Sequence, residues 1–77
     1  MIPQETLNAL DRYVNHRIPT GDFLRAALEN NFVNAVCYAD EENTGALVDI
    51  AQHIYNELPS ACWGSREAVK KWLTSKS

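Results

Sequence analysis

A chain of 77 residues with 45% apolar side chains, three Gly and three Pro can enclose one small core and no second domain, and it is neither collagenous nor of low complexity. The formal net charge of −3 is unevenly spread: residues 1–35 carry −1, residues 36–60 carry −5 with no Lys or Arg, and residues 61–77 carry +3. An acidic chain without a long basic stripe is a poor ligand for duplex nucleic acid, where phosphate neutralisation supplies most of the affinity.

No apolar run approaches the roughly 20 residues that cross a bilayer. The opening MIPQETLNAL has neither the basic nor the apolar region of a secretion signal, so a cytoplasmic protein with Cys37 and Cys62 reduced is expected, and no membrane partner. The first helix should start at Pro3, a residue favoured in a first turn, and run to about His16. Spacings of three and four place Leu7, Leu10 and Val14 on one buried face with Tyr13 beside them. Pro19 disfavours helical geometry at Ile18, and Thr20 then stands where its hydroxyl can cap a second helix over about Gly21 to Glu29. Phe23, Leu24, Ala27 and Leu28 form its apolar side, and Asn30 and Asn31 suit the left-handed geometry that closes a helix.

A short third helix, about Phe32 to Ala39, is expected to turn Phe32, Val33 and Val36 inward. Asp40 then reads as a cap, with Glu41 and Glu42 at the positive end of the dipole and Asn43 placed to reach back in a capping box. In the helix that follows, Leu47, Ile50, Ala51, Ile54 and Leu58 share one face; Gly45 weakens its first turns and Pro59 stops it. In the connector SACWGS, Gly64 permits a tight turn and Ser65 caps a last helix that packs back through Val69, Trp72 and Leu73. Nothing alternates with a period of two. The pattern predicts an all-α fold, a single compact bundle of four to five short helices over residues 1–77, without strands or repeats.

Chemistry-bearing residues are sparse. His16, Cys37, His53 and Cys62 show none of the close spacings of a zinc site, and no glycine-rich phosphate loop is present, so neither metal nor cofactor is expected. Cys37 reads as a small buried side chain in its helix. Cys62 lies in a loop near a helix start, which can lower a thiol pKa, but the sequence assigns it no base. Asp40, Glu41 and Glu42 serve the helix dipole, and His53 reads as a surface residue between Asp49 and Glu57. No catalytic set emerges, and an enzyme is not expected. In PTGDFLRAAL, a helix start with Gly21 and with Arg25 one turn on resembles an anion cup, although Asp22 competes for the same dipole. Trp63 is suited either to stack on a ligand or to cover the core.

The ordered words IPTGDFLRAALEN, ADEEN and YNELPSACWGS, with a closing Trp72, resemble a pattern of small bacteriophage and prophage proteins: IPTG-x-FL-x-AVL-x-N, AD-x-x-N, then YN-x-x-P-x-x-CWGS. The similarity runs from Tyr13 to Trp72 and departs at Asp22, where the pattern has a small residue, and at Ala27, where it has valine. The resemblance implies a setting and no established activity: a small accessory protein in the cytoplasm of an infected host cell. The expectation is a non-enzymatic, homo-oligomeric binding protein that captures a host protein or a small anionic, nucleotide-like ligand, a role compatible with countering host defence. Its contacts are expected at Thr20, Gly21, Arg25, Asn43, Tyr55, Asn56, Trp63 and Ser65. The alternative is a nucleic-acid-associated regulator using the basic last helix, where Arg66, Lys70 and Lys71 cluster beside Trp63.

Overall fold

A computed structural model describes residues 1–75. Helix α1 (Gln4–His16) begins directly after Pro3 and closes at Arg17, which takes left-handed geometry with φ 53° and returns its N–H to Tyr13. Such a φ is costly for a residue with a Cβ. Part of the cost is offset by the Arg17 guanidinium, which lies 3.9 Å over the ring of Trp72.

Helix α2 (Asp22–Leu28) starts one residue later than the sequence suggested. Its N-cap is the extended Gly21, without a side-chain cap, so Thr20 lies outside the helix and its hydroxyl does not cap it. Asn30 closes this segment at φ 62°, and helix α3 (Phe32–Tyr38) follows with the Asn31 side chain accepting the N–H of Asn34. Asp40 caps helix α4 (Glu41–Gly45) by accepting the N–H of Asn43 at 2.8 Å. Helix α5 (Leu47–Glu57), a single 3₁₀ turn at Ser60–Cys62, and helix α6 (Arg66–Thr74) complete the order. Ser65 caps α6 by accepting the N–H of Ala68 at 3.0 Å.

The fold is all-α, and no strand forms among the described residues. The described residues form six helices where four to five were expected, because the run after Asp40 breaks at Ala46. There φ is −107° and ψ is 8°, and the Ala46 N–H bonds the carbonyl of Asn43, three residues back. Gly45 resists helical geometry, and the Ala46 side chain is itself buried in the core, so the backbone tightens around it.

The core gathers around Leu10, Tyr13, Leu28, Ile50, Cys62 and Val69. Helix α1 is rotated from the expected stripe: Thr6, Leu10 and Tyr13 are buried, whereas Leu7 and Val14 are half-buried. The rotation is fixed by two polar contacts. The Thr6 hydroxyl donates to Asn43 Oδ1 at 2.8 Å, and the Tyr13 hydroxyl donates to the Cys62 carbonyl at 2.6 Å. Because its side-chain oxygen serves Thr6, Asn43 does not close the expected capping box with Asp40. Helix α5 buries Ile50 and Ile54 as its spacing predicts, and Leu58 follows.

Helix α3 reverses the expectation. Only Ala35 is buried, while Phe32 is 37%, Val33 76% and Val36 52% exposed. Its close packing against α2 uses the small alanine and leaves the larger side chains on the outer side. Cys37 is exposed as well and is not the buried residue expected. Trp72 Nε1 donates to the Tyr13 carbonyl at 3.0 Å and the Gly64 N–H to the Leu28 carbonyl at 2.7 Å. These two bonds fasten the last helix and the CWGS loop to α1 and α2. No helix among the described residues is long and apolar enough to cross a membrane.

Candidate binding surfaces

Three of the eight expected contact residues meet. Tyr55 and Asn56 on α5 and Trp63 in the following loop line one open cleft of about 430 Å³, together with Phe32 at the start of α3. The loop is held there from both ends, by Cys62 accepting from Tyr13 and by Gly64 donating to Leu28. Gly64 has φ 111°, which a side chain rarely tolerates, so glycine allows the chain to turn immediately after the tryptophan. Tyr55 and Trp63 stand edge to face with ring centroids 5.9 Å apart and planes at 70°. Trp63 is half-buried, and its indole Nε1 is enclosed with no hydrogen-bond partner among the described residues. An unsatisfied buried donor of this kind costs about 1–3 kcal/mol. The remaining polar lining consists of the carboxamides of Asn30, Gln52 and Asn56, and among the described residues no charged side chain borders the cleft.

Arg25 lies elsewhere. Its Nε donates to Glu29 Oε2 at 3.1 Å, and the side chain borders a groove of about 600 Å³ between α2 and α6. Arg66 and Lys70 supply two more cations there, Val69 and Leu73 an aliphatic floor, and Glu67 an opposing carboxylate. Gly21 and Asn43 share a third hollow, of about 410 Å³, with Glu5, Asp22 and Asp40 at its edge. Gly21 and Arg25 therefore border different hollows, and carboxylates surround the one that contains Gly21. The two parts of the anion cup weighed at PTGD, Gly21 and Arg25, are thus on separate hollows, and Asp22 stands in the first turn of the short helix, where a carboxylate meets the dipole. Ser65 is engaged as the cap of α6, and Thr20 is half-buried beside none of these hollows.

The two thiols sit in opposite environments, Cys37 exposed and Cys62 buried. Burial pushes the Cys62 thiol above its ordinary value, outweighing a backbone hydrogen bond and the nearby Arg17, which pull the other way. Cys62 therefore lacks the depressed pKa that marks a nucleophile. Among the described residues no three His, Cys, Asp or Glu side chains come together where they could hold a metal ion.

The residues that sequence reading missed are Asn30, Phe32 and Gln52 in the aromatic cleft. Gln52 was accessible in principle, since it shares a helical face with Tyr55 and Asn56 at spacings of three and four. Phe32 was not, because its hydrophobicity points inward unless the packing of Ala35 on α2 is known. In comparisons with known proteins, no family model, curated protein or solved structure matches the chain.

Proposed function

We propose that this chain is a non-enzymatic accessory protein of a bacteriophage or prophage that acts in the host cytoplasm by binding a host protein. The contact surface in this reading is the outer side of α3 with the facing side of α5 and Trp63. One observation carries it: a helix of seven residues buries a single alanine and exposes Phe32, Val33 and Val36, while its Tyr38 is exposed on another side, at the hollows beside Gly21 and Arg25. Val48 and Tyr55 on α5 add 70% and 73% exposed apolar side chains. Scattered surface apolar residues need no explanation, but a cluster rimmed by polar groups and containing Trp and Tyr has the composition of an interaction site. The resemblance to small phage proteins supplies the setting.

A second reading rests on its own observation. Arg25, Arg66 and Lys70 over the aliphatic floor of the α2–α6 groove suit a small anionic ligand of nucleotide size. The acidic run of residues 36–60 and the basic run of 61–77 also favour association of copies in which one run faces the other.

The deciding experiment immobilises the wild-type protein and a Val33→Asp/Val36→Asp variant and exposes both to lysate of the bacterial host. Both valines are exposed, so the variant should keep its helical circular dichroism and cooperative melt, which are checked first. A protein retained by the wild type and lost by the variant supports the surface assignment; equal retention removes it. If nothing is retained while nucleotides raise the melting temperature, the anion reading replaces it: a ligand at a hundredfold its dissociation constant adds about 2.7 kcal/mol. Light scattering across concentrations tests self-association.

A further inference from the structure

We infer that two copies of this chain pair across a furrow beside α2, about a twofold axis that sets the acidic end of the furrow in one copy against its basic end in the other. This pairing goes beyond the host-protein reading, which uses other side chains, and it gives the association of copies a place and a symmetry.

Three adjoining hollows make the furrow. The first, of about 410 Å³, is bordered by the carboxylates of Glu5, Asp22 and Asp40. It shares Asp22 and Tyr38 with a second, of about 400 Å³, which Asn31 and Asn34 also line. The second shares Arg25 and Arg66 with the α2–α6 groove, to which Lys70 adds a further cation. Charge therefore changes sign along the furrow. Among the described residues no Lys, Arg or His borders the acidic end. Asp40 uses one oxygen to cap α4 and keeps the other. At the basic end Glu29 takes up the Arg25 guanidinium at 3.1 Å, and Arg66 and Lys70 outnumber the one remaining carboxylate, Glu67. Among the described residues Glu5, Asp22, Asp40, Arg66 and Lys70 make no ion pair within the chain. Between the ends stands Tyr38, 58% exposed. Charged groups around an aromatic middle have the anatomy of a protein interface.

The order of signs selects the occupant. A partner of one sign, such as a nucleic acid or a basic peptide, is held at one end and repelled at the other. A small anion fills the basic end alone and leaves the carboxylates unmatched. What matches the whole furrow carries the same charges in reverse order, and a second copy turned by 180° presents that order by construction, because in a twofold contact i meets j wherever j meets i. Glu5, Asp22 and Asp40 of each copy then face Arg66 and Lys70 of the other, and the two Tyr38 rings fall nearest the axis. Joining the same ends without the twofold axis leaves one acidic and one basic end open and adds copies without limit. Pairs of exposed charges are individually weak and screened by ions, so the association is sensitive to salt.

The test is the mass of the full-length protein by analytical ultracentrifugation over a series of concentrations and salt. It compares wild type with Glu5→Lys/Asp22→Lys, with Arg66→Glu/Lys70→Glu, and with Arg12→Glu/Lys71→Glu, which makes the same change of charge outside the furrow. All six positions are exposed, and circular dichroism and a cooperative melt are checked first. Wild type should reach twice the chain mass and no more, and high salt should dissociate it. Each furrow variant alone should pair about a hundredfold more weakly, since like charges then meet at both contacts, while the control pairs as wild type does. Mixed in equal amounts, the two furrow variants should pair again, one furrow now basic throughout and the other acidic throughout. A monomeric wild type, species that grow beyond two copies, furrow variants that pair like wild type, or a mixture that stays monomeric overturns the inference. Should a reversal not fold, Arg66→Ala/Lys70→Ala removes only exposed side chains and should weaken pairing about tenfold, and unchanged pairing overturns the inference equally. A monomeric wild type that still captures a host protein removes the pairing and leaves the host-protein reading in place.

Discussion

The hydroxyl of Tyr13 donates to the carbonyl of Cys62 across 2.6 Å, closing a contact between residues 49 apart in sequence. Both residues have no exposed surface, so water has no route to either group. Tyr13→Phe preserves the ring and strands the carbonyl, and it should cost about 1–3 kcal/mol. In a domain of this size each kcal/mol lowers the melting temperature by about 4–8 °C. Urea and thermal denaturation measure the loss directly; a variant within about 0.5 kcal/mol of wild type would show that the carbonyl finds another donor.

The same pair makes stability fall in alkali. Burial first, then the proximity of Cys62 and Glu29, pushes the Tyr13 phenol above its ordinary value of 10.0, and burial raises the Cys62 thiol above 9.0. The neutral forms are the ones the fold stabilises. Their contribution is fully present below the ordinary values and is lost as pH rises toward the folded ones, because over that interval the unfolded chain has released protons that the native protein keeps. Urea midpoints should decline between about pH 8 and about pH 11, and Cys62→Ala should make the decline shallower. A midpoint that holds or rises over this range contradicts the assignment.

The two thiols should separate cleanly under a thiol reagent. Cys37 is exposed on α3 and Cys62 is enclosed in the core. One thiol per chain should react at once in the native protein, and the second only when denaturant opens the fold. Cys37→Ser should abolish the fast phase and leave the slow one. Two fast phases would mean that the loop after α5 opens far more readily than its bonds to Tyr13 and Leu28 imply.

Much of the framework was legible because punctuation and period are local properties. Pro3, Asp40 and Ser65 mark helix starts, Asn30 takes the left-handed turn, and Ile50, Ile54 and Leu58 recur on one buried face. What could not be read depended on partners distant in the chain. The rotation of α1 is set by Thr6 meeting Asn43 and Tyr13 meeting Cys62. The outward turn of Phe32, Val33 and Val36 follows from which small residue of α3 fits against α2. In the candidate surface, Tyr55, Asn56 and Trp63 do share a cleft, since a helix end and the loop after it are neighbours by construction. Arg25 does not join them, because its i,i+4 bond to Glu29 keeps it on its own helix, beside α6.

That separation makes the last prediction a dissection of two surfaces. Arg25 is an exposed helical side chain whose ion pair with Glu29 contributes about 0.3–0.5 kcal/mol, so Arg25→Ala should leave stability nearly unchanged. Trp63 packs against the core from a half-buried position, and Trp63→Ala should cost about 2 kcal/mol while helical circular dichroism persists. On the protein-binding reading Trp63→Ala loses the partner and Arg25→Ala keeps it. On the anion reading the order is reversed, with the melting shift produced by nucleotides disappearing in Arg25→Ala and surviving in Trp63→Ala. The two side chains border different clefts, so their stability effects should add within about 0.5 kcal/mol in the double variant. Loss of one and the same binding activity in both single variants, each still folded, would instead mean that the partner spans α2, the CWGS loop and α6 together.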